Sequence, residues 1–146
     1  MVYPGAGIAV STGTAWNTSK ASPTGTIVGT TDAQTLTSKR IDPRVSTTAS
    51  TASLTPDVAS FDQYNVTALT GTMAINAPTG TPVNGTRLLF RILDDGTVRT
   101  LTWNATYTVI GTILPTATVA SKTIYVGCIY NADSVRWDVV SVLIQN

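Results

Sequence analysis

The fold is decided by residues 87–103, which read RLLFRILDDGTVRTLTW. Apolar side chains alternate at the start of this stretch, so Leu88, Phe90 and Ile92 point to one face of an extended strand. The sequence Asp-Asp-Gly at positions 94–96 is a turn signal, and a second apolar run at 98–103 follows it. The stretch therefore predicts two antiparallel strands joined by a tight hairpin.

A second pair of runs lies closer to the C-terminus, at residues 124–130 and 135–144, with a four-residue turn at 131–134. In the last run one face carries Val135, Trp137, Val139 and Leu143, and the opposite face carries Val140, Val142 and Ile144. A strand that is apolar on both faces is either buried on both or meets another chain. Together with the small size of the region from residue 61 onward, this pattern favours an oligomer.

Three further short runs occur at residues 64–69, 72–76 and 107–110, and Gly, Pro or Asn-Gly turn signals separate them. About seven strands at regular spacing are typical of an antiparallel sandwich or barrel. The sequence thus predicts an all-β fold, with a small antiparallel β-sandwich or barrel over residues 61–146.

Residues 1–60 have a different composition, because large apolar side chains there are few and scattered. The stretch at 46–53 contains only Ser, Thr and Ala, as a linker does. So few core formers cannot offset an ordering entropy of roughly 1–2 kcal/mol per residue. We expect residues 1–60 to be an extended arm that is disordered alone or ordered by other chains.

Composition excludes several classes of function. The chain has 146 residues, a net charge of +1, no His and a single Cys, and all eight of its acids are Asp. A His-ligated zinc or haem site is therefore impossible, as is an intrachain disulfide, and no cofactor is expected. The near-neutral charge predicts no nucleic-acid partner, and the absence of a long apolar run predicts no membrane insertion.

Few clusters could carry chemistry. Asp94 and Asp95 are adjacent acids, which suggest half of a metal site, a carboxylate dyad or, more simply, a hairpin turn with Gly96. Arg87, Arg91 and Arg99 could bind a phosphate or an acidic sugar, or form a solvated face paired with Asp94 or Asp62. Cys128 lies among apolar residues, as a buried thiol does.

Trp103 and Tyr107 flank polar residues. Such aromatic rings could stack on a glycan, with Arg91 as a third binding residue. Alternatively, Trp103 could fill the core of a small sandwich, as Trp commonly does.

Two N-terminal stretches resemble segments of tailed-bacteriophage fibre proteins. They are YPGAGIAVSTGTAW at 3–16 and GTIVGTTDAQTLTSKRI at 25–41. In that family the second stretch often reads Gly-Thr-Thr-Asp-x-Gln-Thr-Leu-Thr-Asn-Lys-x-Ile, and here Ser38 replaces the Asn. The match in the β domain is looser.

The resemblance implies a non-enzymatic, homotrimeric protein of the virion surface, a head fibre or capsid decoration protein. Its partners would be itself and phage capsid or tail proteins. It would be made in the host bacterial cytoplasm without a signal peptide. The virion-anchoring candidates are Tyr3, Pro4, Ile8, Val10 and Trp16, and the trimer-interface candidates are Leu36, Ile41, Val140, Val142 and Ile144.

Two other functions remain open. A short tail fibre would recognise host surface glycan through its β domain. The third hypothesis is a glycan-degrading enzyme. Phage depolymerases usually keep paired carboxylates on long β-helices, however, and this chain is short and poor in acids.

Overall fold

The computed structural model describes Arg40 and residues 42–146. The described part contains nine strands and no helix. They are β1 (Val45–Thr48), β2 (Ser53–Leu54), β3 (Gln63–Leu69), β4 (Met73–Ile75), β5 (Arg87–Asp94), β6 (Leu101–Trp103), β7 (Tyr107–Val109), β8 (Ile124–Asn131) and β9 (Arg136–Ile144). The all-β prediction is confirmed for these residues, which accordingly include no helix that could cross a membrane.

The strands form two sheets that enclose one core. Six strands make the large sheet in the order β1-β3-β5-β8-β9-β7, and three make the small sheet in the order β2-β4-β6. From β1 to β6 the chain alternates between the two sheets, and each strand lies parallel to the one before it in the same sheet. The first half of the fold is therefore a three-turn parallel coil of the β-helix kind.

The antiparallel prediction is correct only for β5, β8 and β9. β8 pairs antiparallel with both β5 and β9, as the turn signal at 131–134 predicted for the final hairpin. The hairpin predicted at residues 94–96 is wrong, because β5 lies between β3 and β8 while β6 pairs with β4 in the other sheet. A turn does occur there, and Gly96 adopts a φ of 96°. It redirects the chain from one sheet to the other, a connection that the same residues allow.

The Ser/Thr/Ala stretch predicted as a linker belongs to the folded domain. Its first residues lie in β1, where Ser46 and Thr47 pair with Tyr64 and Asn65 of β3. The amide of Thr70 donates a 3.0 Å hydrogen bond to the hydroxyl of Ser50. A segment poor in apolar residues can thus be ordered within its own chain, since the neighbouring parallel strand satisfies its backbone groups.

The boundary of the domain also differs from the predicted residue 60. Leu54 and Val58 are buried in the core. The chain divides into two units, and the second of them begins at Ile41. Pro56 is fully buried as well, and these three apolar side chains tie the segment to the domain, although the local sequence is too polar to signal it. The part of the predicted arm that precedes Arg40 lies outside the described residues.

The core is built from the alternating residues that the sequence singled out. Leu88, Phe90 and Ile92 of β5 are at most 1% exposed. Phe90 lies at the centre of an aromatic cluster, with ring centroids 5.4 Å from Trp103, 5.8 Å from Tyr107 and 6.3 Å from Tyr64. The contacts with Trp103 and Tyr107 are edge-on, and such contacts add to the stabilisation from apolar burial.

Candidate interaction surfaces

The aromatic pair proposed for sugar stacking faces the core. Tyr107 is 5% exposed, and its hydroxyl donates a 3.0 Å hydrogen bond to the carbonyl of Asn76. Trp103 is half-buried, and its Nε1 donates to the carbonyl of Pro115 at 2.8 Å. Burial raises the pKa of Tyr107 far above its usual value. The core reading of Trp103 therefore fits the structure, and the ring of Tyr107 is not available to a ligand.

The three arginines that were predicted to form one cluster, Arg87, Arg91 and Arg99, do not lie together on one face. Arg87 and Arg91 lie on the outer face of β5, and neither has a carboxylate within 4 Å among the described residues. Arg99 lies outside any strand and makes a two-pronged ion pair with Asp95, at 3.1 and 2.6 Å. The outer face of β5 thus presents two guanidinium groups without partners in this part of the chain.

Asp94 holds a turn rather than a metal. The carboxylate is 4% exposed, and its Oδ1 accepts hydrogen bonds from the amides of Gly96 at 2.9 Å and Ser121 at 2.8 Å. Burial alone would raise the pKa of Asp94, but hydrogen bonding with Thr118, Ser121 and Gly96 outweighs burial and lowers it. No group of three potential metal ligands occurs among the residues that the structure describes.

Arg44 and Asp62 form an ion pair that the sequence did not single out as a pair. Nε of Arg44 donates to Oδ2 of Asp62 at 3.0 Å, and its second terminal nitrogen donates to Oδ1 at 2.6 Å. The hydrogen bond from Arg44 lowers the pKa of Asp62. No local signal could have found this pair, because the two residues are eighteen positions apart and meet only when the chain approaches β3.

The same ion pair borders a surface groove of about 560 Å³. The groove is also lined by Arg87 and by apolar side chains that include Pro82 and Val83. The donors of Arg44 are occupied by Asp62 and by the carbonyls of Ala59 and Val58. Arg87 is therefore the guanidinium that faces this groove without a described partner.

The trimer-interface candidates of the last strand divide between core and surface. Val140 and Ile144 are 49% and 45% exposed, whereas Val142 packs against the core. The difference comes from a bulge: Cys128 pairs with Val139, and Gly127 pairs with Ser141, so Val140 has no opposite residue. After the bulge the alternation is reversed, and Leu143, predicted on the same face as Trp137, is 64% exposed.

Two of the predicted trimer-interface residues, Leu36 and Ile41, lie outside the described part of the chain. So do all five virion-anchoring candidates, Tyr3, Pro4, Ile8, Val10 and Trp16. Their roles stay predictions. Cys128 is buried as expected, and burial raises the pKa of its thiol to about 12.

Comparison with known proteins finds no matching family model, no matching curated protein and no matching solved structure.

Proposed function

We propose that the chain is a non-enzymatic structural protein of a tailed-phage virion, a homotrimer anchored by its N-terminal arm and displaying its β domain. The observation that carries the proposal is the resemblance of residues 3–16 and 25–41 to phage fibre segments. The β domain supports it by exposing large apolar side chains along β8 and β9. Such surfaces are typical of proteins that assemble.

The proposal is tested on particles. A small peptide tag at the C-terminus, labelled with gold and viewed by electron microscopy, should appear on intact virions at the head. Gold on the tail would support the fibre alternative, and the absence of gold from all particles would contradict a virion role. A variant without residues 1–39 is the control, since we expect it to be made but not incorporated.

A second function, recognition of host surface glycan by a short tail fibre, is favoured by the groove beside Arg87. Its apolar walls suit the C–H faces of sugar rings, and Arg87 suits a carboxylate on the sugar. A glycan array probed with the full chain and with Arg87→Gln separates the two functions. Display alone predicts no binding, whereas recognition predicts binding to acidic glycans that Arg87→Gln weakens about tenfold or more.

A further inference from the structure

The outer face of the large sheet carries a cluster of four apolar side chains, which lies beside the charged residues Arg87, Arg91 and Asp138. Tyr125 and Ile129 of β8 are 37% and 36% exposed, and Leu143 of β9 lies directly opposite Tyr125. Leu89 of β5 lies in the same face, next to Gly127. These four side chains, Leu89, Tyr125, Ile129 and Leu143, are called the β8–β9 face below.

The bulge in β9 contributes to this face. It turns Val142 inward opposite the buried Val126 and leaves Leu143 outside. Gly127 leaves room for the side chain of Ser141, because a Cβ at position 127 would stand 2.6 Å from Oγ of Ser141. A groove of about 400 Å³ opens at one end, lined in part by Tyr125, Leu143 and Ile144. The apolar cluster therefore continues into a groove at this end of the sheet.

The charges indicate what covers the face. The described residues carry seven Lys and Arg and seven Asp, so this part of the chain is neutral and does not favour a highly charged partner. Among the described residues, Arg87 and Arg91 on β5 have no carboxylate partner. The carboxylate of Asp133 likewise makes no ion pair and no hydrogen bond within this part of the chain. In a second copy of the chain, Asp133 supplies the charge opposite to Arg87, and Arg87 supplies the charge opposite to Asp133.

Arg87 and Asp133 lie at the same end of the sheet. Arg87 pairs with Ile129, and the amide of Gly85 donates to the carbonyl of Tyr130, which places the start of β5 beside the turn that carries Asp133. In a ring of copies around an axis parallel to the strands, residues at one level meet residues at the same level of the next copy. Such a ring brings Arg87 of one copy toward Asp133 of its neighbour.

We infer that the β8–β9 face is the surface through which copies of this chain associate, with Arg87 of one copy paired to Asp133 of the next. The inference rests on the homotrimer of the proposed function and locates its interface in the described domain.

The apolar part of the inference is tested by the mass of the full chain in solution, measured by light scattering. The wild-type protein should have three times the 15.3 kDa mass of one chain. Leu143→Lys should raise the concentration at which the trimer dissociates at least tenfold. Ile113→Lys is the matched control, because Ile113 is 83% exposed and lies outside the strands. Ile129→Lys is a second face variant, and circular dichroism verifies that each variant is folded.

The charged pair is tested by exchanging the charges. Arg87→Asp and Asp133→Arg should each weaken association, because each places like charges opposite one another. The double variant should restore it to within about threefold of the wild type. Weakened single variants without restoration in the double variant would overturn the pair but not the face.

The outcomes separate the inference from the proposed function. A wild-type trimer that persists in folded Leu143→Lys and Ile129→Lys would overturn this interface and leave the homotrimer intact. A wild-type mass of one chain would contradict the homotrimer and the interface together. If Ile113→Lys also lost association, any added surface charge would weaken the trimer wherever it lies, and the inference would be overturned.

Discussion

At the scale of single residues, the buried carboxylate of Asp94 connects two parts of the chain that are far apart in sequence. It accepts hydrogen bonds from its own turn, at Gly96, and from Ser121, which has a φ of 62°. A positive φ is uncommon for a residue other than glycine, and the bond from Asp94 helps to hold Ser121 in it. One side chain thus fixes both the exit from β5 and the loop before β8.

Replacing Asp94 by Ala should lower the free energy of unfolding by about 1–3 kcal/mol, because the amides of Gly96 and Ser121 lose a buried, charged acceptor. Asp94→Asn retains an acceptor oxygen and should have a smaller effect. Urea unfolding followed by tryptophan fluorescence measures both variants. Thr97→Ala is the control and should change the free energy by less than about 0.5 kcal/mol, since its side chain is exposed and its hydroxyl makes no hydrogen bond among the described residues. Equal effects of Asp94→Ala and Thr97→Ala would contradict the role of Asp94.

Val135 is a second residue with a positive φ, of 49°, in the turn between β8 and β9. A β-branched side chain is strained there by about 1–2 kcal/mol, whereas Asn tolerates this conformation. Val135→Asn should therefore raise the midpoint of thermal unfolding. Val83→Asn is a matched control, because Val83 is equally exposed, at 73%, and has no positive φ. A rise in both variants, or in neither, would show that the backbone of Val135 stores no strain.

At the scale of elements, β1 and β2 form the first turn of the parallel coil. They contribute few apolar side chains, but each pairs with the next strand of its sheet. The Arg44–Asp62 ion pair joins the entry to β1 to the start of β3. Because both of these groups are more than 40% exposed, we assign most of the stabilisation to backbone pairing and to burial of Leu54 and Val58.

Truncation distinguishes this first turn from the arm before it. Removal of residues 1–39 should leave a folded β domain with a cooperative thermal transition. Removal of residues 1–60 should abolish that transition or lower its midpoint by more than 10 °C, because β3 and β4 each lose one pairing strand and the core loses the buried side chains Leu54, Pro56 and Val58. Circular dichroism on heating measures both forms. A cooperative transition of unchanged midpoint in the shorter form would restore the linker interpretation of residues 46–53.

At the scale of the whole molecule, the response to pH follows from the carboxylates. The pKa values of Asp57, Asp62, Asp94, Asp95 and Asp138 are all lowered in the folded state. A lowered carboxyl pKa stabilises the fold above the unfolded value, near 3.8, and this contribution is lost as the pH falls through the folded value. The chain has no His, so no side chain with an ordinary pKa near 6 to 7 titrates between pH 5 and pH 7.

The midpoint of thermal unfolding should therefore be nearly constant from pH 5 to pH 7 and fall steeply below about pH 4. Asp62→Asn, which removes one carboxylate of lowered pKa, should make the fall at acid pH shallower. Thr97→Ala, which removes no carboxylate, is the control and should leave the steepness of the fall unchanged. Differential scanning calorimetry across this range provides the measurement. A marked loss of stability between pH 7 and pH 5 would contradict the assignment to these carboxylates.

At alkaline pH the buried thiol of Cys128 makes stability fall as the pH rises, whereas the carboxylates make it fall as the pH is lowered. Burial raises the pKa of Cys128 from 9.0 to about 12, so the neutral thiol stabilises the fold below pH 9. That contribution is lost as the pH rises from about 9 to about 12. Cys128→Ala should flatten this alkaline loss, although it also leaves a cavity that lowers stability at every pH.

The sequence by itself determined the positions of seven strands, the inward face of β5 and the final hairpin, because the alternation of apolar residues and short-range turn signals are local properties. It also excluded an intrachain disulfide and His-ligated metals. Only the tertiary structure decided that β5 and β6 belong to different sheets, that β1 and β2 are strands, and that the β9 bulge moves Val142 inward and Leu143 outward. These outcomes depend on which strands pair across long separations in sequence, and pairing depends on backbone hydrogen bonds and a shared core that no local pattern records.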